Sequence, residues 1–153
     1  MTSIVYIPNY QGRLGNHMFQ FAWALAASID LGYNLSVPGI ACDKDATFGS
    51  MFPRTHEFGE FRNKISIFEP FVIVSENETV DWVVNSRIDP VKFKQLYNER
   101  SILGDGFFQN YNGFSHRKEE IKRYFTLDRD KESINALAVH LRLDDTPLNL
   151  DVR

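Results

Sequence analysis

One cysteine, Cys42, stands in a chain of 153 residues, so neither an internal disulfide nor a multi-cysteine zinc site can be built from it. Cys42 also lacks a sequence neighbour that would mark it as a nucleophile, and it reads as structural. No run of about 18 apolar residues occurs, which excludes a membrane-spanning helix. The segment Met1 to Tyr10 has no basic stretch, and Pro8 and Asn9 interrupt its apolar run, so it reads as neither signal peptide nor anchor. Basic clusters are missing as well. With 17 Lys+Arg against 20 Asp+Glu, a net charge of -3 and a pI near 5.8, the chain is not expected to bind nucleic acid by neutralising many phosphates. Repeats, low-complexity tracts and Gly/Ser linkers are absent too. Asn34-Leu35-Ser36 and Asn77-Glu78-Thr79 match the glycosylation sequon, a pattern short enough to arise by coincidence.

What is present describes a soluble globular domain: 43% hydrophobic and 14% aromatic residues. A fold of this length buries roughly 70% of the surface of its unfolded chain, enough for a core without cross-links. Ile4-Val5-Tyr6-Ile7 is a short buried strand stopped by Pro8, and Asn9 to Asn16 is a loop. From His17 to Leu31 the chain is apolar on nearly every side, which predicts a deeply packed helix ended by Gly32. Tyr33 to Val37 before Pro38 completes a strand, loop, helix, strand unit, the signature of a parallel crossover.

The middle is less regular. Short strands are expected near Ile65-Phe68 and Phe71-Val74, and Asp89-Pro90 opens a short helix with Val91, Phe93 and Leu96 as its apolar positions. Ser101 to Gln109 carries strand signals broken by Gly104 and Gly106. His116 to Phe125 has helical spacing with Ile121, Tyr124 and Phe125 inward, and Ala136 to Leu143 reads as a last strand.

Three segments could carry chemistry. Gly12-Arg13-Leu14-Gly15-Asn16 joins the first strand to the first helix, where glycines admit a phosphate to the backbone and Asn16 offers an amide. It could equally be a turn followed by an Asn-capped helix. Val139-His140-Leu141-Arg142-Leu143-Asp144-Asp145 places His140, Arg142 and Asp144 on one strand face. Arg142 there can grip a phosphate bidentately, or form a surface ion pair with Asp144 or Asp145, and two adjacent aspartates fall short of a dedicated metal site. Gly104-Asp105-Gly106-Phe107-Phe108-Gln109-Asn110-Tyr111 could line a sugar site with rings and amides, or pack Phe107 and Phe108 into the core. His17, His56 and His116 are isolated in sequence and support no triad or zinc spacing.

Together these segments resemble glycosyltransferase family 11, the α-1,2-fucosyltransferases and their relatives. Gly12 to Ala22 is similar to that family's Gly-Gly-Leu-Gly-Asn-Gln-Met-Phe-Gln-Tyr-Ala, Gly106-Phe107-Phe108-Gln109 to its Gly-Tyr-Phe-Gln, and His140-Leu141-Arg142 with Asp145 to its His-x-Arg-Arg-x-Asp. Gly-Arg-Leu-Gly-Asn is also similar to protein O-fucosyltransferases. The resemblance implies inverting, metal-independent transfer of L-fucose from GDP-fucose to a galactose hydroxyl, on an α/β fold of two Rossmann-like lobes of the GT-B type. It implies Arg142 as the catalytic clamp on the diphosphate, Gly15, Asn16, His140 and Asp145 as donor-binding residues, and Phe108 and Gln109 on the acceptor side. No general base is named by it.

Two departures stand out: Leu143 replaces a second arginine, and His17 replaces a glutamine. Only Leu143 to Arg153 follow Arg142, so residues 1–135 correspond to the acceptor-side lobe and 136–153 to the start of a donor lobe. The expectation is an incomplete family member, inactive alone unless a missing half or second copy completes it, in a cytoplasmic or peripheral-membrane setting. The alternative is a non-catalytic α/β module that binds a glycan or a partner.

Overall fold

The structure, a computed structural model, describes residues 3–38, 52, 54, 55, 57, 58, 70–76 and 79–125. It is an α/β fold around a parallel sheet. Strand β1 (Ile4–Tyr6) leads through helix α1 (Leu14–Leu31) to β2 (Asn34–Ser36). After β3 (Val72–Ser75) comes a hairpin of β4 (Val83–Val84) and β5 (Arg87–Ile88), then α2 (Pro90–Tyr97) and β6 (Ile102–Asp105). Two 3-10 turns, Tyr111–Gly113 and Ser115–Arg117, lead into α3 (Lys118–Lys122).

The sheet runs β2-β1-β6-β3 with every pairing parallel. Register aligns Leu35, Val5, Ile102 and Val72 in one row, and all four are buried. The alternate row puts Tyr6 beside Leu103 and Leu103 beside Ile73, which is 58% exposed. Side chains alternate across a strand, so one face carries the main core. The crossovers β1 to β2 and β3 to β6 step the same way along the sheet, and the usual right hand places α1 and α2 on that same face.

α1 is buried on most sides, as its composition predicts: Phe21, Trp23, Ala24 and Ala26 are all at most 1% exposed. Phe21 is ringed by Phe58, Tyr124 and Phe125. Gly32 ends the helix in the left-handed region, its N–H donating to the Ile29 carbonyl while the Tyr33 N–H donates to that of Ser28. The start differs from expectation. The helix begins at Leu14, its N-cap is Arg13, and Asn16 lies inside the first turn instead of capping it. The reason is Gly12, whose φ of +80° turns the chain early enough for Leu14 to Asn16 to enter helical geometry.

Asp89 caps α2 as the Asp-Pro pair predicts, its Oδ1 accepting from the N–H groups of Val91 and Lys92. Of its three apolar positions, Phe93 is buried and packed on Trp82, while Val91 and Leu96 are 64% and 62% exposed. The helix expected over His116 to Phe125 is shortened to α3, because His116 and Arg117 sit in a 3-10 turn that aims both at Asp30. The β4–β5 hairpin was not anticipated. Its two-residue turn places Asn85 and Ser86 at φ of 52° and 64°. The expected strands at Ile65-Phe68 and Ala136 to Leu143, the proposed 136–153 segment, Cys42 and His56 lie outside the described residues.

Candidate functional site

Open parallel sheets gather ligands at the carboxyl ends of their strands. Here that edge is formed by the loop after β1, the residue after β3 and the loop after β6. Asn16 arrives on the first turn of α1. Its side chain packs against Gly12, where a Cβ would come within 2.0 Å of Asn16 Nδ2, so only glycine leaves the amide in place. Gln109 arrives from the β6 loop, and its Nε2 donates to Asn16 Oδ1 at 2.8 Å. Two of the residues singled out from the sequence, 93 positions apart, therefore meet.

The β6 loop has an unusual path. Gly106 takes φ of +147° and Phe108 takes +53°, a left-handed conformation uncommon for an aromatic residue. Phe108 is 1% exposed and stacks on Trp23 at 3.8 Å with a 10° interplanar angle, so its ring belongs to the core. Of the two neighbouring phenylalanines, Phe107, at 37% exposed, is the one that offers its ring to solvent. Gly15 lies in the first turn of α1 with nothing within 4 Å of where a Cβ would stand, and its φ is not in the left-handed region. Its role is therefore one of space. It lines an apolar hollow of about 240 Å³ together with Met18 and Ala22 and the rings of Tyr111, Phe114 and Phe125.

Gln11 and Glu76, outside the segments singled out from the sequence, join this edge with Asp105, His17 and Gln20 from within them. Gln11 donates through Nε2 to Asp105 Oδ1 at 3.2 Å, and its backbone N–H and carbonyl pair with the Gln20 carboxamide at 3.0 and 2.8 Å. Glu76, immediately after β3, accepts the Phe107 N–H at Oε2 and the Gln109 N–H at Oε1, both at 2.9 Å. His17 is 5% exposed, stacks on Tyr10, and has Nε2 at 3.0 Å from the Gly12 carbonyl, so it serves the loop from below. The signal for Gln11 and Gln20 was available, since a buried glutamine in an apolar helix needs partners. No local signal marked Glu76.

α1 brings no acidic residue into its first turn, and the side chain of its N-cap residue, Arg13, makes no capping hydrogen bond to the helix N–H groups. A ligand anion at that end meets N–H groups that no cap side chain occupies. A larger hollow of about 540 Å³ lies at the β4–β5 hairpin, but its charged groups are engaged in the fold: Arg87 pairs with Asp30 and Asp89 caps α2. Among the described residues no group of three His, Cys, Asp or Glu side chains is placed to hold a metal ion, and no helix is long and apolar enough to cross a membrane. Arg142, His140 and Asp145 lie outside the described residues. Compared with models of protein families, with curated proteins and with solved structures, the chain matches none.

Proposed function

We propose that this chain contributes the Rossmann-like, acceptor-side lobe, the described α/β unit, to a glycosyltransferase-family enzyme that transfers L-fucose from GDP-L-fucose to a galactose-terminated glycan in an inverting α-1,2 reaction. The observation that carries this reading is the Gln109–Asn16 hydrogen bond of 2.8 Å, which joins two of the three family-like segments at the ligand-binding edge of a parallel sheet. In such a transfer the acceptor hydroxyl oxygen attacks the fucose anomeric carbon from the face opposite the diphosphate, and its proton is released to water. The carbon–oxygen bond to the diphosphate breaks with its electron pair leaving on GDP. Negative charge grows on that leaving group, and the α1 N-terminus from Leu14 to Asn16 is suited to receive it. Arg142, with His140 and Asp145 supporting, is the clamp that the resemblance assigns to the same phosphates. No metal is required in this scheme.

Gln109, with Phe107 exposed beside it, is the acceptor-facing part of the proposal, and Phe108 contributes by anchoring the loop in the core. A second reading, a non-catalytic glycan-binding module, is favoured by the 52% exposed Tyr111 and the amides of Gln109, Asn110 and Asn112 around it. Saturation-transfer NMR separates the two, using GDP-fucose, GDP and a β-galactoside in turn. The transferase reading expects contact with donor and galactoside, and loss of the donor signal in Asn16→Ala. The binding-module reading expects the galactoside alone, and silence in every arm overturns both.

A further inference from the structure

We propose that Glu76 is the positioning residue of this edge: its carboxylate holds the β6 loop so that the Gln109 carboxamide meets Asn16. The binding consequence rests on the functional reading above, whereas the coupling itself does not. β3 ends at Ser75, paired with Asp105, the last residue of β6. The chain leaving β6 therefore starts directly beside Glu76. Gly106 crosses it so closely that a Cβ would lie 2.7 Å from Glu76 Cβ and 3.2 Å from its backbone nitrogen. The loop then turns Phe108 into the left-handed region, which points the N–H groups on either side of it, those of Phe107 and Gln109, at the two oxygens of one carboxylate.

A carboxylate suits this task because both of its oxygens accept. A glutamine of the same shape presents one oxygen and one NH2, and the NH2 would confront an N–H. The loop is gripped from two sides. Phe108 stacks on Trp23 in the core, and Glu76 ties the backbone at the surface. The first grip sets that the loop is folded, and the second sets where residue 109 points. Its result is the 2.8 Å bond from Gln109 Nε2 to Asn16 Oδ1, so one chain of contacts links the end of β3, the loop after β6 and the start of α1.

The test uses the full chain, isotope-labelled for NMR, with Glu76→Gln, Gln109→Ala, the double variant, and Gly106→Ala as an independent way to push the loop off Glu76. In Glu76→Gln the proposal expects three results. The Phe107 and Gln109 backbone amides lose their carboxylate-bonded shifts, the Gln109 side-chain NH2 moves to its solvent-exposed position, and the Phe108 ring shifts set by Trp23 stay. Gly106→Ala gives the same displacement of the Gln109 NH2. Galactoside or GDP-fucose saturation transfer, measured separately, falls about tenfold in Glu76→Gln, and the double variant binds no more weakly than Gln109→Ala. Unchanged Gln109 side-chain resonances in Glu76→Gln would overturn the proposal, as would losses that simply multiply in the double variant. If the parent chain contacts neither sugar probe, the functional reading fails while the amide shifts still decide whether Glu76 positions Gln109.

Discussion

At one end of α1, Asp30 holds three side chains, the guanidinium groups of Arg117 at 2.7 Å and Arg87 at 3.4 Å and the His116 ring at 2.7 Å. At the other end, Asn16 holds one neutral amide, that of Gln109, at 2.8 Å. Both ends tie α1 to chain segments far away in sequence. The Asp30 carboxylate is 3% exposed, so its charge is out of water and every partner it has matters to the fold. That bond also raises the Arg117 pKa, first through its hydrogen bond to Asp30. The Asn16–Gln109 bond is exposed and carries no net charge, so water replaces either partner at small cost. One end keeps the fold, and the other, on the proposed function, presents polar groups to a ligand.

The largest test of this contrast is Asp30→Asn. It removes a charge that Arg87 and Arg117 face, and an expected loss of about 2–3 kcal/mol in chemical denaturation reflects a buried carboxylate whose partners are partly exposed. Ligand contact at the other end should survive. Next in size is Gly12→Ala, which forces an L side chain into φ of +80° and drives its Cβ into the Asn16 amide. It should cost about 1–2 kcal/mol in the same measurement and also abolish the donor signal in saturation transfer. A variant that lost stability but kept that signal would break the assignment of the Asn16 end to ligand binding.

Gly15→Ala sharpens the comparison with the opposite sign. Nothing lies within 4 Å of the new methyl and the backbone is helical, so melting should show a gain of about 0.5–1 kcal/mol. A weaker ligand signal in that more stable protein would locate the ligand over the first turn of α1. The smallest effect belongs to Glu120, whose carboxyl is held below its ordinary value of 4.5 by a backbone hydrogen bond and then by Arg117. A lowered folded-state value means that its contribution is present above pH 4.5 and is lost as the pH falls through the folded-state value. Thermal melts through the acid range should therefore be slightly less pH-dependent for Glu120→Gln than for the parent. A steeper acid dependence in the variant would contradict the sign.

How much of this was legible varied with the range of the forces involved. The β1, α1, β2 unit could be read because an unbroken apolar run, Gly32 and Pro38 are local signals, and the Asp89-Pro90 start of α2 likewise. The β4–β5 hairpin escaped because its strands are two residues each and its turn, Asn85-Ser86, contains no glycine. Asp30 left a trace that could have been followed, being the one acidic residue in α1. Its partners Arg87, His116 and Arg117, all far along the chain, left none.

The sequence by itself determined the parallel α/β character of this chain, the burial of α1, and the three segments from which a transferase-like site could be argued. Periodicity, turn chemistry and composition act over a few residues and survive without a fold. Only the tertiary structure decided that Asn16 lies inside the helix, that Phe108 is a core residue and Phe107 a surface one, and that Gln109 and Glu76 belong to the same edge. Those outcomes depend on strand order. Placing β6 between β1 and β3 brings the loop after residue 105 against residues 16 and 76 at once, and no local rule encodes which strand will be the neighbour of which.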